Sequence, residues 1–142
     1  MKVEFFVMEN ASRQQALREL CLLVEKIWQD KESAYIYVNT EEEADYLDKL
    51  LWTFRDESFV PHSVKATDET PIRIGTAVPA TNRRQTLINL GKTIPDFYTQ
   101  FQRVIEVVYQ DAELQQAARE RFKQYRDAGQ DLHTHKMKVS LA

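Results

Sequence analysis

Two consecutive units near the amino terminus, each an apolar strand followed by a capped helix, constrain the fold of this chain most strongly. Residues 3–8 (VEFFVM) form a near-continuous apolar run, which is typical of a strand buried on both faces. Ser12 and Gln15 then have the spacing of a capping box that opens a helix. Residues 34–38 (AYIYV) predict a second strand, and Thr40 with Glu43 predicts a second capped helix that runs to about residue 54. Such alternation predicts a parallel sheet with crossover helices.

The middle of the chain predicts shorter elements. Pro61 suits the edge or the end of a strand, and residues 71–76 alternate as a half-exposed strand would. Pro95 is placed to start a helical turn. Strands are expected at residues 58–64, 71–76, 86–90 and 104–109, and the helical turn at 94–98.

The last predicted element is an amphipathic helix. Asp111 can cap it, it extends over about residues 112–128, and Gly129 follows where a left-handed cap belongs. Residues 133–142 show no strong pattern and are expected to form a flexible tail. The length of 142 residues is that of one domain, so a single domain is predicted over residues 1–132.

The expected ligand of such a fold, a nucleotide, is disfavoured. Phosphate cradles need glycine after the first strand, but residues 9–12 read Glu-Asn-Ala-Ser, and no glycine-rich phosphate motif occurs elsewhere. No cofactor is therefore predicted. The formal net charge of −3 also disfavours a general nucleic-acid-binding protein, which would bind the phosphate backbone through a largely basic surface.

Other candidate chemistries have simpler explanations. His133 and His135 have a spacing used in metal sites, but no further ligand stands nearby in sequence. Cys21 lies on the apolar side of the first helix, and the acidic residues 41–43 suit a first helical turn. His62 is expected to be a hydrogen-bonded structural histidine. With no metal or catalytic group predicted, one cysteine, no signal segment and no membrane-length apolar run, a cytoplasmic non-enzyme is expected.

Trp52 is the first feature that suggests binding. Helical periodicity places it on the polar side of the second helix, where an exposed tryptophan is typical of a protein interface. Phe59 and Pro61 would extend the same patch. The alternative is that residues 54–64 fold back and cover the ring.

The second feature is a basic strip on the last helix. Gln115, Arg119, Phe122, Lys123 and Arg126 share one side of it. Residues 115–138 contain six Lys or Arg and three Asp or Glu, so this segment is basic within an acidic chain. Such a strip could bind an acidic peptide or, as the alternative function, nucleic acid directly. The same cluster of positive residues would also suit the solvent-exposed end of a helix with no binding role.

At these places the sequence resembles a known family. Residues 51–52 (LW), 57–62 (ESFVPH) and 118–126 (ARERFKQYR), with Phe5 and Phe6 in the first strand, are similar to the chi subunit of bacterial DNA polymerase III. The resemblance extends over nearly the whole chain, to about Asp131.

The resemblance implies a non-catalytic accessory protein of the replicase with a three-layer α/β, Rossmann-like, mostly parallel sheet flanked by helices. It implies a psi subunit bound through Trp52, Phe59 and Pro61. The other implied partner is the acidic carboxy-terminal tail of the single-stranded-DNA-binding protein, so that DNA is contacted only indirectly and no membrane is involved. A repair helicase is a further candidate partner. The expected oligomeric state is a monomer or a heterodimer.

The residues that the resemblance assigns to the tail site share one region of the last helix and the strand before it. They are Arg119 as the main anchor, with Val108, Gln115, Phe122 and Lys123 around it. Gln115 stands where the family is expected to have lysine, and Phe122 where tyrosine is expected. One positive charge and one hydroxyl are thus missing, so weaker binding of the tail is expected.

Overall fold

The computed structural model describes residues 1–54, 60–64, 70–78 and 85–138, and within them the helices and strands alternate along the chain. The helices are α1 (Arg13–Gln29), α2 (Glu41–Thr53) and α3 (Ala112–Asp127), with a 3₁₀ helix at Asp96–Gln100. The strands are β1 (Lys2–Glu9), β2 (Ala34–Tyr37), β3 (His62–Ser63), β4 (Ile72–Gly75), β5 (Thr86–Asn89), β6 (Arg103–Val108) and β7 (Asp131–Lys138).

All strands of the described part of the chain form a single parallel sheet. The order is β3-β4-β2-β5-β6-β1-β7, so β1 lies between β6 and the edge strand β7. The predicted α/β class with a Rossmann-like parallel sheet is therefore confirmed.

Local sequence signals account for the ends of the helices. Ser12 and Gln15 form the expected reciprocal capping box at the start of α1. Thr40 caps α2 by accepting from the Glu43 amide, but the Glu43 carboxylate bonds the Thr40 hydroxyl instead of closing a reciprocal box. At α3, Asp111 accepts from the Leu114 amide. Each cap satisfies a backbone amide that has no partner within its helix.

Two apolar clusters cover the two faces of the sheet. On one face, α1 and α2 pack against Met8, Ile36 and Ile105. On the other, α3 and the 3₁₀ helix pack against Val3, Phe5 and other residues of the sheet. These layers follow from the connections, because helices after β1 and β2 cross towards β3, whereas α3 crosses from β6 over β1 to β7. Within the described residues, none of the helices is both long and apolar enough to cross a bilayer.

The predicted middle elements are found, with one difference in burial. Described strands β3 to β6 overlap the four expected segments, and Pro95 precedes the 3₁₀ helix as predicted. Residues 71–76 were expected to be half-exposed, yet Arg73 is only 3% exposed. That expectation is wrong because β4 is an interior strand, lying between β3 and β2.

The expectation of a patternless tail from residue 133 is also wrong for the residues that are described. Residues 131–138 form β7, in parallel register with β1 along its whole length. This edge strand is partly exposed to solvent on both faces, so it tolerates many polar side chains and lacks the apolar pattern that would predict a strand. The expected domain boundary at residue 132 falls inside this strand, and residues 139–142 lie outside the described part.

Candidate docking surfaces

A buried polar cluster fixes the orientation of α3 against the sheet. Glu106 of β6 is fully buried and accepts hydrogen bonds from Arg121 Nε (3.1 Å), Tyr125 Oη (2.6 Å) and Asn89 Nδ2 (2.9 Å). Burial raises the pKa of the Glu106 carboxyl, against the opposing influence of Arg121 and the other two donors. A second donor of Arg121 reaches the Lys92 carbonyl at 3.3 Å. Two residues of α3, one turn apart, are thereby held towards the sheet.

This orientation directs Arg119 away from the sheet. A helix turns about 100° per residue, so Arg119 points roughly 200° away from Arg121. Arg119 is exposed, and it has no ion pair or hydrogen bond with any other described residue. Its guanidinium is therefore available to an external acceptor.

An apolar floor lies beside Arg119. Phe122 packs edge-on against Phe5 of β1, with ring centroids 5.3 Å apart. Val108 belongs to the same cluster and is only 6% exposed, so it lies at the base of this region. Gln115 and Lys123 are exposed on either side along the helix.

Fewer cations of this segment reach the surface than the sequence suggested. Arg121, one of the six Lys and Arg of residues 115–138, is 4% exposed and is paired with Glu106. Arg119, Lys123 and Arg126 are exposed on α3, and Arg126 Nε lies 3.7 Å from Asp127 Oδ1. One sequence signal points to a buried Glu106: its carboxylate interrupts an apolar strand, and Arg121 lies on the apolar side of the next helix.

Trp52 is exposed on α2, as the periodicity predicted. It is 55% exposed, and its ring lies 4.8 Å from that of His62. His62 is structural, as expected: its Nδ1 lies 2.6 Å from the Val60 carbonyl and its Nε2 3.1 Å from an Asp48 carboxylate oxygen. Pro61 is half-buried next to it. We call Trp52 with Pro61 the Trp52 surface; Phe59, which was predicted to extend it, lies outside the described residues.

The two regions are far apart in the fold. The Trp52 surface lies on α2, which contacts β3 and β4 at one edge of the sheet. Arg119 lies on α3, which covers the opposite face and contacts β6 and β7 near the other edge. Two partners could therefore bind without competing for the same surface.

A cleft of about 510 Å³ opens at the carboxyl ends of the strands, where nucleotides bind in related folds. In this chain the loop after β1 is closed by hydrogen bonds within the loop and the first turn of α1. The Ala11 amide donates to the Met8 carbonyl, and the Gln15 amide donates to the Ser12 hydroxyl. Ala11 is fully buried, and Glu9 would repel an anion. The amides of Ala11, Ser12 and Gln15, which could otherwise contribute to a phosphate site, are thus occupied.

The other predicted candidates have structural partners. His133 Nε2 lies 3.0 Å from Asp131 Oδ2, and His135 Nε2 lies 3.0 Å from Glu4 Oε1. In the described ranges, no three His, Cys, Asp or Glu side chains group in a way that could hold a metal. Cys21 is buried, and burial raises the pKa of its thiol to about 12. Residues 41–43 occupy the first turn of α2, as predicted.

Comparison with known proteins identifies the family. The model of the DNA polymerase III chi subunit (HolC) family matches residues 1–133. The chain belongs to the chi subunit family. It is 37% identical to the DNA polymerase III subunit chi of Pseudomonas aeruginosa over 137 residues, which cover 96% of each chain. It is 32% identical to the chi subunit of Escherichia coli, covering 92% of this chain and 94% of the relative.

A third chi subunit, from Haemophilus influenzae, is 38% identical over 118 residues, covering 80% of this chain and 82% of the relative. The resemblance inferred from the Trp52 and Arg119 regions is therefore confirmed over almost the whole chain. Chi subunits are accessory subunits of a replicative polymerase, so this chain belongs to a family that works in DNA replication.

Proposed function

We propose that this protein is a non-catalytic adaptor of the DNA polymerase III holoenzyme. It would link the clamp loader, through a psi subunit, to the acidic carboxy-terminal tail of the single-stranded-DNA-binding protein. The observation that supports the tail contact most strongly is Arg119, an exposed guanidinium with no partner among the described residues, next to the apolar floor of Phe122.

The chemistry of the tail matches this arrangement. A peptide that ends in Pro-Phe presents a terminal carboxylate beside an aromatic ring. Arg119 can donate two parallel hydrogen bonds to the carboxylate, which is the strongest geometry available to a side chain at the surface. The ring can pack against Phe122 and the stem of Gln115, above Val108. Lys123 and Arg126 would attract acidic residues upstream and increase the association rate.

Binding to one tail is expected to be modest. Gln115 supplies no charge and Phe122 no hydroxyl, so the guanidinium and the apolar contacts must account for most of the affinity. We expect a Kd in the micromolar range, which corresponds to about −8 kcal/mol, with a clear dependence on salt. Several tails on one single-strand-binding tetramer would add avidity.

The psi subunit is assigned to the Trp52 surface. A large aromatic side chain that is more than half exposed on a charged helix is typical of the central anchor of an interface. His62 supports the ring from one side, so the indole is oriented before a partner arrives. Such preorganisation reduces the entropy lost on binding.

Substitution of Arg119 tests the tail contact. We expect Arg119→Ala to weaken binding of a fluorescent acidic peptide ending in Pro-Phe at least tenfold, or about 1.4 kcal/mol, in fluorescence anisotropy. Arg18→Ala is the matched control, because Arg18 is an exposed arginine on α1, which covers the other face of the sheet. An affinity for Arg119→Ala equal to that of Arg18→Ala would refute the assignment.

Direct binding of nucleic acid is the second candidate, because Arg119, Lys123 and Arg126 are all exposed on one helix. The net charge of −3 opposes it. Titration of a bare oligonucleotide at low salt separates the two functions, since the adaptor should bind it little.

A further inference from the structure

The side chains of β7 divide between the two faces of the sheet. His135 stacks on Phe6 with ring centroids 4.9 Å apart and bonds Glu4, so it lies on the face covered by α1. Leu132 belongs to the cluster under α3. Successive residues of a strand point to opposite faces, so Lys136 and Lys138 share the α3 face with Leu132.

Register places Lys136 level with the predicted tail site. Val108 pairs with Val7, and Val7 pairs with Lys136. Neighbouring strands are about 4.8 Å apart, so the Cα atoms of Val108 and Lys136 are roughly 10 Å apart. Val7, which packs partly buried against the α3-side cluster, lies between them.

Arg119 lies at about the same level on α3. Phe122 packs on Phe5, which precedes Val7 by two residues along β1. The helix runs back from the carboxyl end of β6 to the start of β7, so Arg119 lies about 4.5 Å from Phe122 towards the carboxyl ends of the strands. Arg119 and Lys136 thus lie on either side of an apolar strip that contains Phe5 and Val7.

The positive charges on either side of this apolar strip are mostly not balanced by neighbouring carboxylates. Lys136 is exposed and has no ion pair or hydrogen bond with another described residue. Lys138 differs, because its register partner on β1 is a carboxylate residue, Glu9, on the same face. Glu120 is the neighbouring carboxylate on α3, next to Arg119. Arg119, Lys123 and Lys136 outnumber this carboxylate, so the region has a net positive charge.

We propose that β7 forms the second wall of the docking groove and that Lys136 binds an acidic side chain of the same peptide whose terminal carboxylate binds Arg119. This inference rests on the proposed function and adds a second contact to it. Cations on both sides of an apolar floor fit an extended chain that has both a terminal carboxylate and upstream aspartates. Since such a chain rises about 3.3 Å per residue, the aspartate should lie about two to four residues before the terminus.

The test uses the full chain and a fluorescent decapeptide that contains three aspartates and ends in Pro-Phe. Lys136→Gln is expected to weaken binding about two- to fivefold and to reduce its salt dependence, because one exposed ion pair is lost. Lys136→Glu should weaken it further by repulsion. Lys26→Gln is the control: it removes the same charge from α1 and should leave the affinity unchanged.

Two altered peptides separate the contacts. Replacing the aspartates with asparagine should abolish the difference between wild type and Lys136→Gln. Amidating the carboxyl terminus should abolish the effect of Arg119→Ala and leave that of Lys136→Gln. If Lys136→Gln and Lys136→Glu both match Lys26→Gln while Arg119→Ala loses affinity, the role of Lys136 is overturned and the proposed function stands. If wild type does not bind the peptide, both are overturned.

Discussion

At the scale of single residues, Glu106 determines what α3 presents to solvent. Its carboxylate is bonded to Arg121 and Tyr125, which lie one turn apart on α3, and this prevents the helix from rotating about its axis. Arg119 faces outward as a consequence. A group that never reaches the surface therefore controls the geometry of the proposed binding residue.

Replacing this carboxylate should be costly. We expect Glu106→Gln to lower the free energy of unfolding by about 3 kcal/mol, because the buried Arg121 loses its counter-charge. Urea unfolding followed by circular dichroism measures it. Glu120→Gln, on the exposed side of the same helix, should change stability by about 0.5 kcal/mol or less. Equal stabilities of the two variants would show that the cluster does not hold α3.

At the scale of elements, Glu4 joins three neighbouring strands. It lies on β1, is bonded to Arg103 of β6, and accepts from His135 of β7. Burial alone would raise the pKa of its carboxyl, but Arg103, His135 and Lys2 together lower the pKa below its ordinary value of 4.5. Ionised Glu4 thus stabilises the edge at which the proposed groove lies.

The sign of the pH dependence follows from this lowered pKa. The stabilisation is fully present above pH 4.5 and is lost as the pH falls through the lowered value. We expect Glu4→Gln to cost about 1–2 kcal/mol at pH 7 and the difference from wild type to shrink as the pH falls below 4.5 towards 3. Unfolding in urea at several pH values tests this. A difference that stays constant from pH 7 to pH 3 would contradict the assigned role of Glu4.

The elements also show what the sequence can and cannot predict. The first two strands and helices were predictable because apolar runs and caps such as Ser12 are local signals. Strand β7 was not, since its burial depends on pairing with β1, more than 120 residues earlier in the chain. Resemblance singled out Arg119, and helical periodicity singled out Trp52, as candidate binding residues. Lys136 was assigned to a flexible tail, because its position beside α3 follows only from the register with Val7 in β1.

At the scale of the whole molecule, the Trp52 surface and the proposed docking groove between α3 and β7 lie near opposite edges and on opposite faces of one sheet. Distant sites that share no contacts normally act independently. The scaffold can therefore hold two partners apart while connecting them.

Independence of the two surfaces is testable with Trp52→Ala. This variant should lose psi in co-purification, since the central aromatic anchor is removed, and should bind the acidic peptide as wild type does. Arg119→Ala should show the reverse behaviour. Retention of psi by Trp52→Ala would contradict the assignment of that surface, and a loss of peptide binding would contradict the independence.

The most direct test of the account is an NMR titration of ¹⁵N-labelled protein with the acidic peptide ending in Pro-Phe. We predict that amide shifts concentrate in residues 115–126 and 132–138, the two walls of the groove, while the Trp52 indole signal does not move. Shifts that cluster around Trp52, or in the cleft near Tyr46 and Lys92, with α3 unmoved, would contradict the central claim.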